Sequence, residues 1–220
     1  MTFETQVAQT KITDIPISVT KQVQDGCVTA SSRAFVPYLG VDFETDFLPK
    51  LQEYSLDLGN PENNHMLGVA IVAAEKGLDV EIHRRISLDD DVLPENAPQR
   101  AKLIHPQVVT KINDLTHQGK IKLTVDELNR TGLQEKLGAK VADGSYALVI
   151  LDWDKWNPEA QKKFGNPRHI VTVFNVDGTS VQVIDPSIDV QDNPVNTTIE
   201  KLFSALNEKQ QIIFIGKKKE

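Results

Sequence analysis

The hydrophobic pattern changes character along the chain. In the first two thirds apolar residues recur mainly at helical spacing, and in the last third they form short continuous or alternating runs. "CVTASSRAF" predicts a helix from Cys27 toward Phe35, ended or kinked near Pro37, which has no amide donor. "FETDFLPKLQEYS" predicts a second short helix. "HMLGVAIVAAEK", apolar on most of its surface, predicts a third, closed by Gly77. "LDVEIH" reads as a short strand. Arg84 to Pro98 reads as a polar loop, with Asp89, Asp90 and Asp91 as its solvated acidic run. "QRAKLIHPQVVTKINDLTHQG" is helical but interrupted at Pro106. In "TVDELNRTGLQEKLG", Thr124 and Glu127 have capping-box spacing, which predicts a helix start. "YALVILDW" is a buried strand. "HIVTVFN" and "SVQVID" are strands joined across "VDGT", a hairpin signal, and "TIEKLFSALNEK" and "QQIIFIG" add a helix and a strand. Helices first and antiparallel strands later make the fold class α+β, in one domain over 1–220 with a lead-in over 1–19.

Charge and cysteine usage narrow the function. A net charge of −7 argues against nucleic acid and anionic membrane as partners. One cysteine in 220 residues leaves no intrachain disulfide and no thiolate metal cluster, and nothing in the chain asks for a cofactor. "MTFETQVAQTKITDIPISVT" lacks the basic and apolar regions of a secretory signal, and no run reaches the ~18 apolar residues of a membrane span. The expected location is the cytoplasm, or outside it by a leaderless route.

Cys27 follows Gly26 and opens the first predicted helix. A helix N-terminus lowers a thiol pKa through its partial positive charge, and a glycine lets backbone approach a substrate. A lone cysteine is more often a small buried hydrophobe. Of the five histidines, His65, His83, His105 and His117 read as surface or capping residues. His169 opens a buried strand, where it can be held rigidly. The next strand ends in Asp185-Pro186. If "VDGT" forms a three-residue loop with Gly178 left-handed, His169 lies directly opposite Asp185, with Cβ atoms about 5 Å apart on one face. A two-residue turn would spoil that pairing, and Asp185-Pro186 would then simply end a strand. A carboxylate opposite His169 would hold the tautomer that accepts a thiol proton. Gln22 and Gln24, five and three residues before Cys27, are candidate oxyanion donors beside the Cys27 amide.

The order Gln, Gly-Cys, a late strand-borne His and then Asp-Pro resembles the papain-like cysteine peptidases. It is most similar to the double-glycine leader peptidases of bacteriocin exporters and their soluble bacterial relatives. The similarity lies in "QVQDGCVTASSRAFVPYLG", "KGLDVEI", "ELNRTGLQEKLGAKVADGSYALVILDW" and, above all, "RHIVTVFNVDGTSVQVIDPS". The resemblance implies a helical part with the nucleophile at a helix N-terminus, packed on a C-terminal antiparallel sheet. It implies Cys27 as nucleophile, His169 as base, Asp185 as its orienting partner and Gln22 as oxyanion donor. The chain departs from the family's pattern in having Val28 where glycine is usual, Gln22 one residue nearer the cysteine, and Pro37 inside the expected central helix. Residues 84–119 look like an insert that shapes or covers the cleft.

The implied activity is cysteine-peptidase hydrolysis of a protein or peptide through a thioester. The alternatives are an acyltransferase or glutamine deamidase, including a secreted effector, and a dead peptidase scaffold that only binds. Trp153 and Trp156 either line the cleft or anchor a strand end.

Overall fold

The computed structural model describes residues 26–57, 63–93, 95, 97–159, 168–187 and 193–218. The lead-in over residues 1–19, Gln22 and Gln24 lie outside the described residues. Seven α-helices and seven strands are present among the described residues. The helices are α1 Cys27–Phe35, α2 Leu48–Leu51, α3 Met66–Glu75, α4 Gln99–His117, α5 Arg130–Ala142, α6 Trp153–Trp156 and α7 Ile199–Ala205. The strands are β1 Asp79–Arg84, β2 Lys122–Val125, β3 Tyr146–Asp152, β4 Arg168–Asp177, β5 Ser180–Ile184, β6 Val195–Thr198 and β7 Ile212–Gly216. They form one sheet in the order β2-β1-β7-β3-β4-β5-β6, antiparallel except for the parallel pair β1 and β2. The fold is α+β, as expected. The segregation is incomplete, since β1 and β2 leave the helical part of the chain to extend the sheet.

Both faces of the sheet are covered, which explains why β3 and β7 are continuous apolar runs. On one face Leu148, Ile150, Ile170, Ile213 and Ile215 pack against α1, α3 and α4. On the other, Ala147, Val149, Leu151, Val171 and Val173 pack against α5 and α7. In α3 every residue except Glu75 is buried, consistent with a helix apolar on all sides. The His65 side chain caps α3 by accepting from Leu67 N–H.

Four local expectations fail, each for a tertiary reason. Helix α4 runs unbroken through Pro106. Pro106 is exposed while Ala101, Ile104, Val108 and Ile112 are buried, so the carbonyl it frees faces water and the apolar stripe stays intact. Thr124 caps no helix, because Lys122–Val125 pairs with Glu81–Arg84 as β2. The cap of α5 is Asn129, whose Oδ1 accepts from Gly132 N–H at 2.8 Å. His83 and His105 are buried rather than superficial. Asp91 is also buried, and both Arg84 and Lys209 donate to its carboxylate.

Candidate active site

Helix α1 is pinned to β4 by two hydrogen bonds across the first sheet face. Ser31 Oγ donates to Ile170 O (3.4 Å), and Thr172 Oγ1 donates to Ser31 O (3.3 Å). Cys27 lies one helical turn before Ser31, half-buried at the N-terminus of α1. Gly26 has φ −89°, so its backbone is open to any residue.

The β4–β5 hairpin brings His169 and Asp185 together by a different register from the expected one. Asp177 pairs with Ser180, so the turn is the two-residue Gly178-Thr179, with Gly178 at φ +57°. That turn alone would send Asp185 to the opposite face from His169. A β-bulge between Val173 and Asn175 inserts one residue and restores the parity. The bulged Phe174 is buried against Ala34 of α1 and Ile184. Thr172 therefore pairs with Ile184. One step on, Asp185 falls beside Val171, a diagonal neighbour of His169 on the same face. Diagonal neighbours lie about 7–8 Å apart at the backbone, within side-chain reach.

The contact is close and fully buried. His169 Nε2–H donates to Asp185 Oδ1 at 2.7 Å, with both side chains out of solvent. Asp185 Oδ1 also accepts from Ser187 N–H (2.9 Å), and Oδ2 accepts from the Trp156 indole N–H (2.8 Å). Asn193 clamps the Asp185 backbone from both sides, its Oδ1 accepting from Asp185 N–H and its Nδ2 donating to Asp185 O (2.9 Å each). Trp153 stacks on the imidazole, with ring centroids 4.5 Å apart. Both tryptophans are thus site-positioning residues. Burial disfavours charge on His169, but the Asp185 hydrogen bond and the adjacent Cys27 side chain outweigh it, raising the imidazole pKa to about 9. Burial likewise opposes ionisation of Asp185, and its bonds from His169, Trp156 and Ser187 overcome it, holding its pKa below the usual carboxylate value. His169 Nδ1, the ring nitrogen not used by Asp185, is bonded to no nitrogen or oxygen among the described residues, and the Cys27 side chain also interacts with the ring.

Cys27 also stands in the wall of a cavity of about 200 Å³. Two expected bystanders, His65 and His105, line it too. Their bonds link both in one chain. Leu67 N–H donates to His65 Nδ1, His65 Nε2–H donates to His105 Nδ1 (3.0 Å), and His105 Nε2–H donates to Asp91 O (2.7 Å). Burial, then the neighbouring His105, lowers the His65 pKa to about 3. Asp91 and His105, both from the 84–119 segment, stand in the cavity wall. No sequence pattern marks Trp156, Asn193 or Asp91 for these roles, since each meets its partner only through the tertiary fold. Among the described residues no group of three or more His, Cys, Asp or Glu side chains is arranged to hold a metal ion, and no helix is long and apolar enough to cross a membrane.

No family model matches the sequence, and no curated protein matches it. The structure is similar to the crystal structure of a Bacillus anthracis protein provisionally described as a C39-like peptidase. The TM-score is 0.51 at 15% identity, over 93% of this chain and 96% of that one. At that identity the likeness concerns the fold alone.

Proposed function

We propose that the protein is a thiol hydrolase of the cysteine-peptidase type, with Cys27 as nucleophile, His169 as general base and Asp185 as the group that orients His169. The observation that carries this reading is the buried His169–Asp185 pair, whose ring interacts with the Cys27 side chain while its second nitrogen is claimed by no other group among the described residues. With Nε2–H held by Asp185, Nδ1 is the basic atom. It takes the Cys27 proton to give a thiolate–imidazolium pair, and the thiolate sulfur attacks a carbonyl carbon. The Cys27 backbone N–H, free of intrahelical bonding at the start of α1, is one donor to the developing oxyanion. Gln22 is the proposed second donor, with Gln24 the alternative. Collapse of the tetrahedral adduct breaks the C–N bond, and the imidazolium returns its proton to the leaving amine. Water, deprotonated by the same nitrogen, then cleaves the thioester to a carboxylate and regenerates the thiol. The substrate is a protein or peptide.

Iodoacetamide alkylation of Cys27 between pH 5 and 9 tests the dyad. Wild type should react at pH 6 at least tenfold faster than His169→Ala, because a paired imidazolium supports the thiolate at low pH. If both proteins are slow at pH 6 and accelerate only toward an ordinary thiol pKa of about 8.5, the hydrolase reading fails and a binding role on this scaffold replaces it.

A further inference from the structure

The cavity beside Cys27 has an apolar wall formed by Val28, Leu56, Met66, Ile150 and Ile170. Asn207 stands in the same wall and is buried. Its Oδ1 accepts from Gln211 N–H at 3.5 Å, and its Nδ2 has no hydrogen-bond partner among the described residues. A buried donor is costly to leave unsatisfied. The loop that carries it is nonetheless tied down. Gln210 Oε1 accepts from Leu128 N–H (2.9 Å), Gln210 Nε2 donates to Leu128 O (3.1 Å), and Arg85 N–H donates to Lys209 O (2.8 Å). Gln210 itself has φ +45°, the one positive φ outside glycine among the described residues. Strain of that kind persists where a surrounding site over-determines it, often at ligand contacts. Three other polar groups of the cavity are engaged within the protein: His65 and His105 in their chain, Asp91 with Arg84 and Lys209. Asn207 Nδ2 has no acceptor among the described residues.

We infer that this cavity is the acyl-side subsite of the substrate. A bulky apolar side chain next to the scissile carbonyl fills the apolar wall, and Asn207 Nδ2 donates to a backbone carbonyl of the substrate. The size fits one such group, since an apolar cavity of about 150 Å³ accepts a benzene ring. Asn207 would then bind and position substrate without taking part in bond making. The inference rests on the thiol chemistry proposed above.

The test compares two probes of Cys27: iodoacetamide, and N-acetyl-dipeptidyl acyloxymethyl ketones with Phe, Leu or Gly beside the ketone. Asn207→Asp keeps Oδ1 for Gln211 N–H and replaces only the donor, and Asn207→Ala serves as the second variant. The wild type should react at least tenfold faster with the Phe or Leu probe than with the Gly probe. The ratio of the Leu-probe rate to the iodoacetamide rate should fall at least tenfold in both variants. A ratio within twofold of wild type in both, or no preference for Phe or Leu, overturns the inference. If iodoacetamide reactivity does not depend on His169, the thiol reading fails and takes the inference with it. If that dependence holds and the ratio does not move, the inference alone is wrong.

Discussion

Replacing His169 by glutamine should remove a pH dependence of stability that the buried pair imposes. The folded protein raises the His169 pKa from 6.5 to about 9. Below pH 6.5 the ring is charged in both the folded and the unfolded chain, so its full stabilisation is present. Above 9 it is neutral in both, and the stabilisation is gone. Stability therefore falls as pH rises from 6.5 to 9. A gap of about 2.5 pH units at ~1.4 kcal/mol per unit amounts to about 3.5 kcal/mol. In a chain of this size 1 kcal/mol moves Tm by about 2–4 °C, so the wild type should lose roughly 7–14 °C across that window. Thermal melts followed by tryptophan fluorescence at pH 6, 7, 8 and 9.5 measure it. His169→Gln should melt lower at pH 6 and show little of the slope. Cys27→Ser should retain the part of the slope that Asp185 alone supplies. Parallel wild-type and His169→Gln curves would refute the ion-pair account, because the fall would then belong to other groups.

Two further predictions concern residues the sequence did not single out correctly. Trp156→Phe deletes the indole donor to Asp185 Oδ2 and leaves that oxygen buried and unpaired. It should cost about 1–3 kcal/mol in urea unfolding at pH 7 and move the acid limb of Cys27 alkylation to higher pH. Either change in the opposite direction counts against Asp185 acting as an ionised anchor. Pro106→Ala restores a backbone donor inside α4 at an exposed position, so it should raise stability by about 1–3 kcal/mol in the same assay. A destabilised variant would mean that α4 needs the break that its sequence suggests.

What could be read from the sequence follows from the range of the interactions involved. The strands, α1 and α3 are legible because apolar period and caps act within a few residues. Cys27, His169 and Asp185 are legible as an ordered set, and their order in the chain matches the element order that carries them. Their register was legible only in parity. The turn is one residue shorter than expected and the bulge at Phe174 adds one back, so His169 and Asp185 share a face through two departures that cancel. Thr124 shows the converse. Its capping signal is real, but the open edge of β1 takes Lys122–Val125 as a strand, and the helix starts at Asn129 instead.

The same division separates the proposed chemistry from the proposed selectivity. His169 and Cys27 are held by the sheet, the bulge and the bonds between α1 and β4, all of which are built into the core. Changes there would cost packing as well as activity, so that part of the site is rigid by construction. The cavity is walled on its polar side by Asp91, Asn207 and Lys209, which come from connecting segments after β1 and before β7. Segments of that kind tolerate substitution without disturbing the sheet. A donor such as Asn207 Nδ2 can therefore be set by what enters the cavity, while the His169–Asp185 pair is set by what the fold requires. That is the physical reason to look for substrate preference in the 207–211 loop and for reactivity in the hairpin, and to expect the two to be separable by mutation.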